Sequence, residues 1–278
     1  PLLVLCVLLA GCGEATPTAS LTPPPATPSV SPVGPHAIWH PAPGLSWQWQ
    51  LSGDVDSSVR ADVYDIDLWA TSSKTSVAAL VADLHAHGRK VICYVDAGSY
   101  ESWRPDHADF PASVLGKQYV GYHEERWLDI RQLGILGPIL AKRLDICAAA
   151  GFDGVEPDNM DGFQNDTGFP LTANDQLSFN KWLAAQAHQR GLSVGLKNDP
   201  DQVATLEPLF DWALVEDCFA QGWCAKLAPF THDHKAVFAA EYSDTNSDFT
   251  GACASAKTAS ISVILKHPEL DAWRQTCV

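Results

Sequence analysis

The stretch GFDGVEPDNMDG, residues 151–162, decides the fold because it joins a short apolar strand to a cluster of acids. Its carboxylates are Asp153, Glu156, Asp158 and Asp161. Side chains two residues apart share one face of a strand, so Glu156 and Asp158 are predicted to point the same way. Acids at the carboxyl end of a buried strand are typical of α/β barrels, where such residues surround the functional opening.

Seven further apolar runs along the chain have the length of strands. Together with the first, they predict strands over residues 47–51, 63–68, 91–97, 152–157, 192–197, 212–216, 236–242 and 261–266. Apolar residues at helical spacing precede Gly88, Gly151 and Gly191, and glycine commonly follows the end of a helix. Strands that lack polar alternation and alternate with helices indicate a parallel sheet covered on both faces.

Eight strand-helix units predict a single α/β domain of the (β/α)8 TIM-barrel class over residues 36–278. An open, doubly wound sheet is the competing fold. No glycine-rich dinucleotide loop follows the first strand, which disfavours that alternative.

Polar side chains close six of the eight predicted strands. They are Asp65 and Asp67, Asp96, Glu156 and Asp158, Lys197 and Asn198, Glu216 and Asp217, and Glu241. If such acids had only structural roles, one or two would be expected, as helix caps. We expect this role for Asp153, Asp199 or Asp201. Carboxylates at five separate strand ends instead predict a functional cleft.

The formal net charge of the 278-residue chain is −15. Such an acidic balance argues against nucleic acids and anionic membrane surfaces as partners and favours neutral or cationic ligands. An acidic surface is also common among soluble proteins, so only the placement of the acids can indicate function.

Residues 1–35 are predicted to lie outside the folded domain. The apolar run at residues 2–10 has the length of a secretory h-region and falls short of the ~20 residues of a membrane-spanning helix. Because Leu-Ala-Gly-Cys at residues 9–12 resembles a lipoprotein box, residues 1–12 are predicted to be a truncated lipoprotein signal with Cys12 as the lipidation site. An ordinary export signal with an accidental cysteine is the alternative.

The segment at residues 13–35, rich in Pro, Thr, Ser and Ala, is predicted to be a disordered linker. These features predict an exported protein that is held at the bacterial cell surface by its lipid anchor alone, or that is secreted.

Six cysteines remain beyond residue 12, at positions 93, 147, 218, 224, 253 and 277. An even number in an exported protein indicates disulfides, for which fifteen pairings are possible. Local spacing favours Cys218 with Cys224 and Cys253 with Cys277, which leaves Cys93 for Cys147. No C-x-x-C pair is present, so a zinc ribbon is disfavoured.

An acidic mouth in an exported protein with ten tryptophans indicates glycoside hydrolysis. That reaction needs a proton donor at the leaving oxygen and a second carboxylate, and aromatic faces stack on sugar rings. Two or three tryptophans are expected to do so among Trp47, Trp49, Trp69, Trp103, Trp127 and Trp223.

The two H-x-H patterns, at residues 85–87 and 232–234, suggest a metal site. However, the first lies near the end of a helix and no carboxylate cluster accompanies the second. We therefore expect no metal and no other cofactor.

Several motifs carry a resemblance to a known family. They are WQWQL (47–51), YVDAGSYESWRPD (94–106), WLDIR (127–131), FDGVEPDNMDGF (152–163), LKND (196–199) and EDCFAQGWC (216–224). From about residue 45 to its end, the chain resembles glycoside hydrolase family 114, the endo-α-1,4-polygalactosaminidases. The resemblance implies a (β/α)8 barrel that cleaves α-1,4-linked galactosamine polymers, with its acidic pair at Asp158 and Glu216.

We predict that Asp158 is the nucleophile of a retaining mechanism and that Glu216 is the acid/base, with Glu156 as the rival nucleophile. Substrate contacts are predicted for Asp67, Tyr94, Asp96, Glu101, Glu156, Asn159, Lys197, Asn198, Glu241 and Trp49. Arg104 and Arg131 are expected to be structural partners of Asp106 and Asp129.

The expected partner is a polysaccharide built from a cationic amino sugar, bound by a monomer that contacts no nucleic acid. Two alternatives stay open. One is a non-catalytic carbohydrate-binding lipoprotein, and the other is a metal-dependent deacetylase.

Overall fold

The computed structural model describes residues 37–70 and 75–277. The predicted signal, its lipidation site Cys12 and the predicted linker at residues 13–35 lie outside the described residues. Among the helices within these ranges, none combines the length and apolar character that a membrane crossing requires.

The described residues contain twelve strands and six α-helices. The strands are β1 (Trp47–Gln50), β2 (Val63–Asp67), β3 (Lys90–Asp96), β4 (Ser99–Glu101), β5 (Leu115–Gln118), β6 (Glu125–Leu128), β7 (Gly154–Asp158), β8 (Ser193–Lys197), β9 (Trp212–Glu216), β10 (Val237–Tyr242), β11 (Ser262–Lys266) and β12 (Gln275–Thr276). The helices are α1 (Val77–Ala86), α2 (Leu133–Ala150), α3 (Ala173–Gln189), α4 (Val203–Leu206), α5 (Ala228–His232) and α6 (Phe249–Ala259).

Local sequence signals set the ends of the long helices. Ser76 caps α1 by accepting a hydrogen bond from the Ala79 amide, and Thr172 forms a reciprocal capping box with Asp175 at the start of α3. Gly151 ends α2 in the left-handed conformation, with φ of 89°. Its lack of a Cβ makes that conformation inexpensive.

All eight predicted strands are present, and they form one curled sheet in the order β1-β2-β3-β7-β8-β9-β10-β11. Every ladder between these strands is parallel. Their carboxyl ends therefore meet at one edge, as the sequence predicted for a TIM-like architecture.

The sheet differs from a regular closed (β/α)8 barrel. No ladder within the described ranges joins β1 to β11, because β12 pairs antiparallel with β11 at that edge. Individual hydrogen bonds cross this seam instead, from Trp47 Nε1 to the Ser262 carbonyl at 3.0 Å and from the Leu51 amide to the Leu270 carbonyl at 2.9 Å. The helical layer is also uneven, since α4 and α5 span four and five residues.

Large apolar side chains fill the inside of the curled sheet. They are Trp47, Trp49, Val63, Ile92, Trp212, Leu214, Phe238, Ala240 and Ile264, together with Ala236. A separate apolar layer lies between the sheet and the helices. Inside the sheet, Gly195 of β8 leaves room for the Trp212 indole, because a Cβ at this position would lie 2.3 Å from the indole Cζ3.

A three-stranded antiparallel sheet in the order β4-β6-β5 lies between β3 and α2 in the chain. The sequence analysis predicted no strands here, because the segments are short and mix polar, glycine and aromatic residues. The insertion matters for function because it delivers residues 119–125 to the edge where the carboxyl ends of the parallel strands meet.

The predicted cysteine pairing is confirmed. Disulfides join Cys93 to Cys147, Cys218 to Cys224, and Cys253 to Cys277. Three disulfides in one domain are consistent with an oxidising compartment outside the cytoplasm.

The close packing at Gly195 generates a testable prediction. Gly195→Ala should lower the free energy of unfolding by about 1–3 kcal/mol, because the added methyl group must displace the Trp212 ring. Chemical denaturation measures the change. Gly134→Ala is the control, since no heavy atom lies within 4 Å of a Cβ at this helical position, and equal stability of the two variants would contradict the packing argument.

Candidate active site

A cavity of about 610 Å³ opens over the carboxyl ends of the parallel strands. Asp158 at the end of β7 and Glu216 at the end of β9 both line it. The Asp158 side chain is 21% exposed and the Glu216 side chain 28% exposed. Both carboxylates can therefore contact a ligand in the cavity.

The ammonium group of Lys197 joins these two acids. Lys197 Nζ lies 3.0 Å from Asp158 Oδ1 and 3.4 Å from Glu216 Oε2, and it contacts Glu156 Oε1 at 2.8 Å. The lysine side chain is 1% exposed and also lies 4.7 Å from the centre of the Trp49 ring. One buried cation therefore fixes three carboxylates relative to one another.

Tyrosine and asparagine donors complete the orientation of the two cavity acids. Tyr94 Oη donates to Asp158 Oδ2 at 2.9 Å, and the Asn159 amide donates to Asp158 Oδ1 at 2.7 Å. Tyr242 Oη donates to Glu216 Oε1, while Asn198 Nδ2 donates to Glu216 Oε2 at 3.1 Å.

Strands β7, β8 and β9 end at Asp158, Lys197 and Glu216, and the residue that follows each has a left-handed backbone. The φ angles are 60° at Asn159, 49° at Asn198 and 50° at Asp217. Asn and Asp tolerate this conformation better than most residues other than glycine. The chain can thus turn sharply just after Asp158, Lys197 and Glu216, which leaves those side chains at the strand ends.

The charges at the site divide the acids into two groups. Burial disfavours ionisation of Asp158, but the Lys197 charge and its hydrogen bonds lower the pKa of this carboxyl below its usual value. Burial raises the pKa of Asp161 to about 6 and that of Glu125 to about 8, and neighbouring carboxylates add to both shifts. Asp158 is therefore held as an anion while its acidic neighbours keep protons more readily.

A second polar cluster lies on another wall of the cavity. Arg104 pairs with Glu101 and, at 2.6 Å, with Asp67 Oδ2. The prediction that Arg104 pairs with Asp106 was wrong, because Asp106 binds Arg143 at 2.7 Å. Arg131 pairs with Asp129 as predicted.

Eight of the predicted site residues line the cavity. They are Asp158, Glu216, Asp67, Tyr94, Glu101, Asn159, Asn198 and Trp49. Asp96, Glu156, Lys197 and Glu241 lie behind its wall and are buried. Of these four, Lys197 contacts both cavity acids and also Glu156, and Asp96 accepts a hydrogen bond from Asn159 Nδ2 at 2.9 Å.

Glu241 was expected to contact substrate, but it lies away from the cavity surface. Its carboxylate is fully buried and accepts hydrogen bonds from the Phe219 and Ala220 amides at 2.9 and 3.0 Å. Glu241 therefore supports the loop that follows β9, and its oxygens are already engaged.

Sequence reasoning missed several residues of the cavity wall. These are Tyr119, Tyr122, Glu125, Asp161 and Tyr242. Among the six candidates, Trp69 and Trp103 line the cavity with accessible side chains. Trp49 also borders the cavity but is 1% exposed, and Trp47 and Trp127 are buried in apolar packing. Proximity to Asp158 could have identified Asp161, but nothing in the sequence indicated that residues 119–125 fold over the opening.

Across the ranges that the structure describes, no group of three or more His, Cys, Asp and Glu side chains is arranged to hold a metal ion. His85, from the first H-x-H pattern, pairs with Asp153 at 2.8 Å.

Comparison with known proteins agrees with this geometry. A model of glycoside hydrolase family GH114 matches residues 29–278. The chain belongs to family GH114. It is therefore a glycoside hydrolase, and no curated protein sequence matches it.

Solved structures similar to this GH114 enzyme include those of Ega3 and PelA. Ega3 from Aspergillus fumigatus, crystallised in complex with galactosamine, is 38% identical with a TM-score of 0.81, over 87% of this chain and 98% of Ega3. The glycoside hydrolase domain of PelA from Pseudomonas aeruginosa is 14% identical with a TM-score of 0.62, over 83% of this chain and 97% of that domain. The second likeness concerns the fold alone.

The position of Lys197 in this GH114 enzyme generates a prediction. Lys197→Met should lower the free energy of unfolding by about 3–5 kcal/mol, because Glu156 would remain buried without its cation. Lys226→Met is the control, since its pair with Asp201 is half-exposed and should contribute about 0–1 kcal/mol. Similar losses for both variants in chemical denaturation would contradict the central role of Lys197.

Proposed function

We propose that the chain cleaves α-1,4-linked galactosamine polysaccharide within the polymer, by a retaining mechanism with Asp158 and Glu216 as its two carboxylates. The observation that carries this proposal is the Lys197 ammonium group, which contacts both acids at the wall of one cavity. Retaining glycosidases need two carboxylates of unequal protonation on either side of the scissile bond.

The separation of the two acids is compatible with retention. Because one ammonium group contacts both, Asp158 Oδ1 and Glu216 Oε2 lie no farther apart than contacts of 3.0 and 3.4 Å laid end to end. This upper limit on the nearest oxygens permits the roughly 5–5.5 Å that separates the carboxyl groups of retaining pairs.

In the first step, Asp158 attacks the anomeric carbon as the bond to the leaving oxygen breaks. Glu216 gives its proton to that oxygen, so one product leaves as a neutral alcohol and the other remains as an ester of Asp158. The low pKa of Asp158 suits the nucleophile, since it must be ionised before substrate binds.

In the second step, Glu216 takes a proton from water as the water oxygen attacks the anomeric carbon. The ester bond to Asp158 breaks, the sugar leaves with its original anomeric configuration, and both carboxyl groups return to their starting forms.

Burial argues against the rival nucleophile Glu156. Its side chain is 0% exposed, and Glu156 Oε1 is held by Lys197. A sugar ring would have to pass the Lys197 contact to reach it. Asp158, two residues farther along the same strand, meets the cavity directly.

An amino-sugar substrate fits the charge of the cavity wall. Asp161 lines the cavity with a pKa of about 6, and no Lys, Arg or His among the described residues forms an ion pair with it. An ammonium group on the sugar would supply the missing positive charge. The complex of the similar protein Ega3 with galactosamine supports the same substrate class.

We further propose that residues 36–278 act outside the cytoplasm, attached to the membrane through a lipid on Cys12 and the linker at residues 13–35. The three disulfides support the compartment. Monomeric action on a polysaccharide requires no protein partner.

Variants of the proposed pair test the mechanism. Asp158→Asn and Glu216→Gln should each lower kcat on a deacetylated α-1,4-galactosamine polymer by about 100-fold or more, because each removes one chemical step. Product mass analysis measures turnover, and Asp145→Asn, which alters an exposed carboxylate paired with Arg190, should leave it unchanged. Proton NMR of wild-type product at early times should show the α anomer, and an initial β anomer would overturn retention.

Asp161 tests the substrate class. Asp161→Asn should raise KM for the deacetylated polymer by about tenfold, because a hydrogen bond to a charged group contributes about 1.5–3 kcal/mol. In the wild-type enzyme KM should rise as the pH falls through about 6, where Asp161 becomes protonated, and the variant should lose that dependence. Asp166→Asn, at an exposed ion pair, is the control. An equal effect of Asp161→Asn on a fully acetylated polymer would exclude an ammonium contact.

A further inference from the structure

A buried acid of β2 has no assigned role in the proposed reaction. Asp65 is 0% exposed and lies inside the curled sheet, where its strand pairs with β1 and β3. Neither of its carboxyl oxygens accepts a hydrogen bond from an N–H or O–H group of the residues that the structure describes. Glu156 Oε2 on β7 has no such donor either.

The two carboxyl groups are each other's partners. Asp65 lies in side-chain hydrogen-bond contact with Glu156. Two carboxylates cannot form a hydrogen bond without a proton, so one of them must be the neutral acid. A single proton would also satisfy Glu156 Oε2 and one Asp65 oxygen at the same time.

The surrounding charges decide which group keeps the proton. Burial raises the pKa of Glu156 to about 7, but Lys197 lies against Glu156 Oε1 and favours its ionised form. Complete burial, then the Glu156 and Asp158 charges, raise the pKa of Asp65 well above its usual value, and the more distant Lys197 only partly opposes them. Asp65 is therefore the acid and Glu156 the anion.

Charge balance leads to the same assignment. Three carboxyl groups, those of Glu156, Asp158 and Glu216, already contact the ammonium group of Lys197, and Asp65 lies near enough to feel its charge. If Asp65 were also ionised, a further uncompensated charge would be buried inside the sheet, which is expensive.

We propose that Asp65 is a positioning residue that donates its carboxyl proton to Glu156 Oε2 and thereby fixes the Glu156–Lys197 pair against Asp158 and Glu216. Asp65 touches no substrate and acts through Glu156 and Lys197. Without its donor, Glu156 would have to rotate or take up a proton, and the ammonium group that orients both cavity acids would move with it. The inference rests on the proposed roles of Asp158 and Glu216 for its effect on turnover.

Two substitutions separate a proton donor from a charge or a packing role. Asp65→Asn keeps a neutral donor of nearly the same shape, so kcat should stay close to the wild-type value. Asp65→Val suits a strand but removes the donor, and kcat should fall by about 100-fold with little change in KM, as expected for misplaced catalytic groups. Equal loss of kcat in both variants would overturn the proposal.

Infrared spectroscopy gives a readout that does not depend on activity. Wild-type enzyme labelled with ¹³C at the aspartate carboxyl should show a protonated-carboxyl band at a pH above about 8, the value to which burial raises the pKa of Asp199. Asp65→Asn should remove this band, whereas Asp199→Asn should retain it. Absence of the band from wild-type enzyme, or its persistence in folded Asp65→Asn, would overturn the proposal.

The two experiments separate this inference from the proposed function. If Asp158→Asn and Glu216→Gln retain turnover, the proposed catalytic pair fails, but the infrared band still reports whether Asp65 holds a proton. If the pair is confirmed and the band is missing, only the assignment of Asp65 fails.

Discussion

The buried ammonium group of Lys197 is the interaction on which the rest of the active site depends. It contacts Glu156, Asp158 and Glu216, which reach it from two different strands of the sheet. A buried charge is costly unless it is paired and hydrogen-bonded, so the lysine and its carboxylates can be buried only together. This mutual requirement places the two cavity acids close to each other before any substrate arrives, and it gives Asp158 a low pKa without a metal ion.

The scaffold makes that arrangement possible by separating apolar packing from polar contacts along the strands. Tryptophan side chains fill the inside of the sheet, and Gly195 leaves room for that of Trp212. The polar residues follow at the carboxyl ends, where left-handed turns at Asn159, Asn198 and Asp217 leave the preceding side chains facing the opening. The same parity that puts Glu156 and Asp158 on one face explains why one supports the site from below and the other meets the cavity.

The sequence predicted much of this arrangement because parallel strands and their carboxyl ends follow local rules. Apolar runs located all eight parallel strands, and positions at strand ends placed Asp158 and Glu216 at the predicted opening, whereas the family resemblance singled them out as the acidic pair. Two features escaped prediction for physical reasons. Glu241 is an acid at the end of a strand, as expected of a substrate contact. Its carboxylate instead accepts hydrogen bonds from two backbone amides. Tyr119, Tyr122 and Glu125 reach the cavity on an antiparallel insertion whose short strands carry no periodic signal, and the closure of the sheet depends on individual hydrogen bonds that no sequence pattern encodes.

Covalent attachment of a sugar to Asp158 during turnover is the part of the proposed mechanism that can be tested most directly. An α-galactosaminide with a good leaving group should load the Glu216→Gln variant, because departure then needs no acid while the second step lacks its base. Rapid acid quench, proteolysis and mass spectrometry should find one amino sugar on the peptide that contains residues 151–162, at Asp158. An adduct on Glu156 or another residue, or burst-free turnover with no adduct at all, would contradict the account.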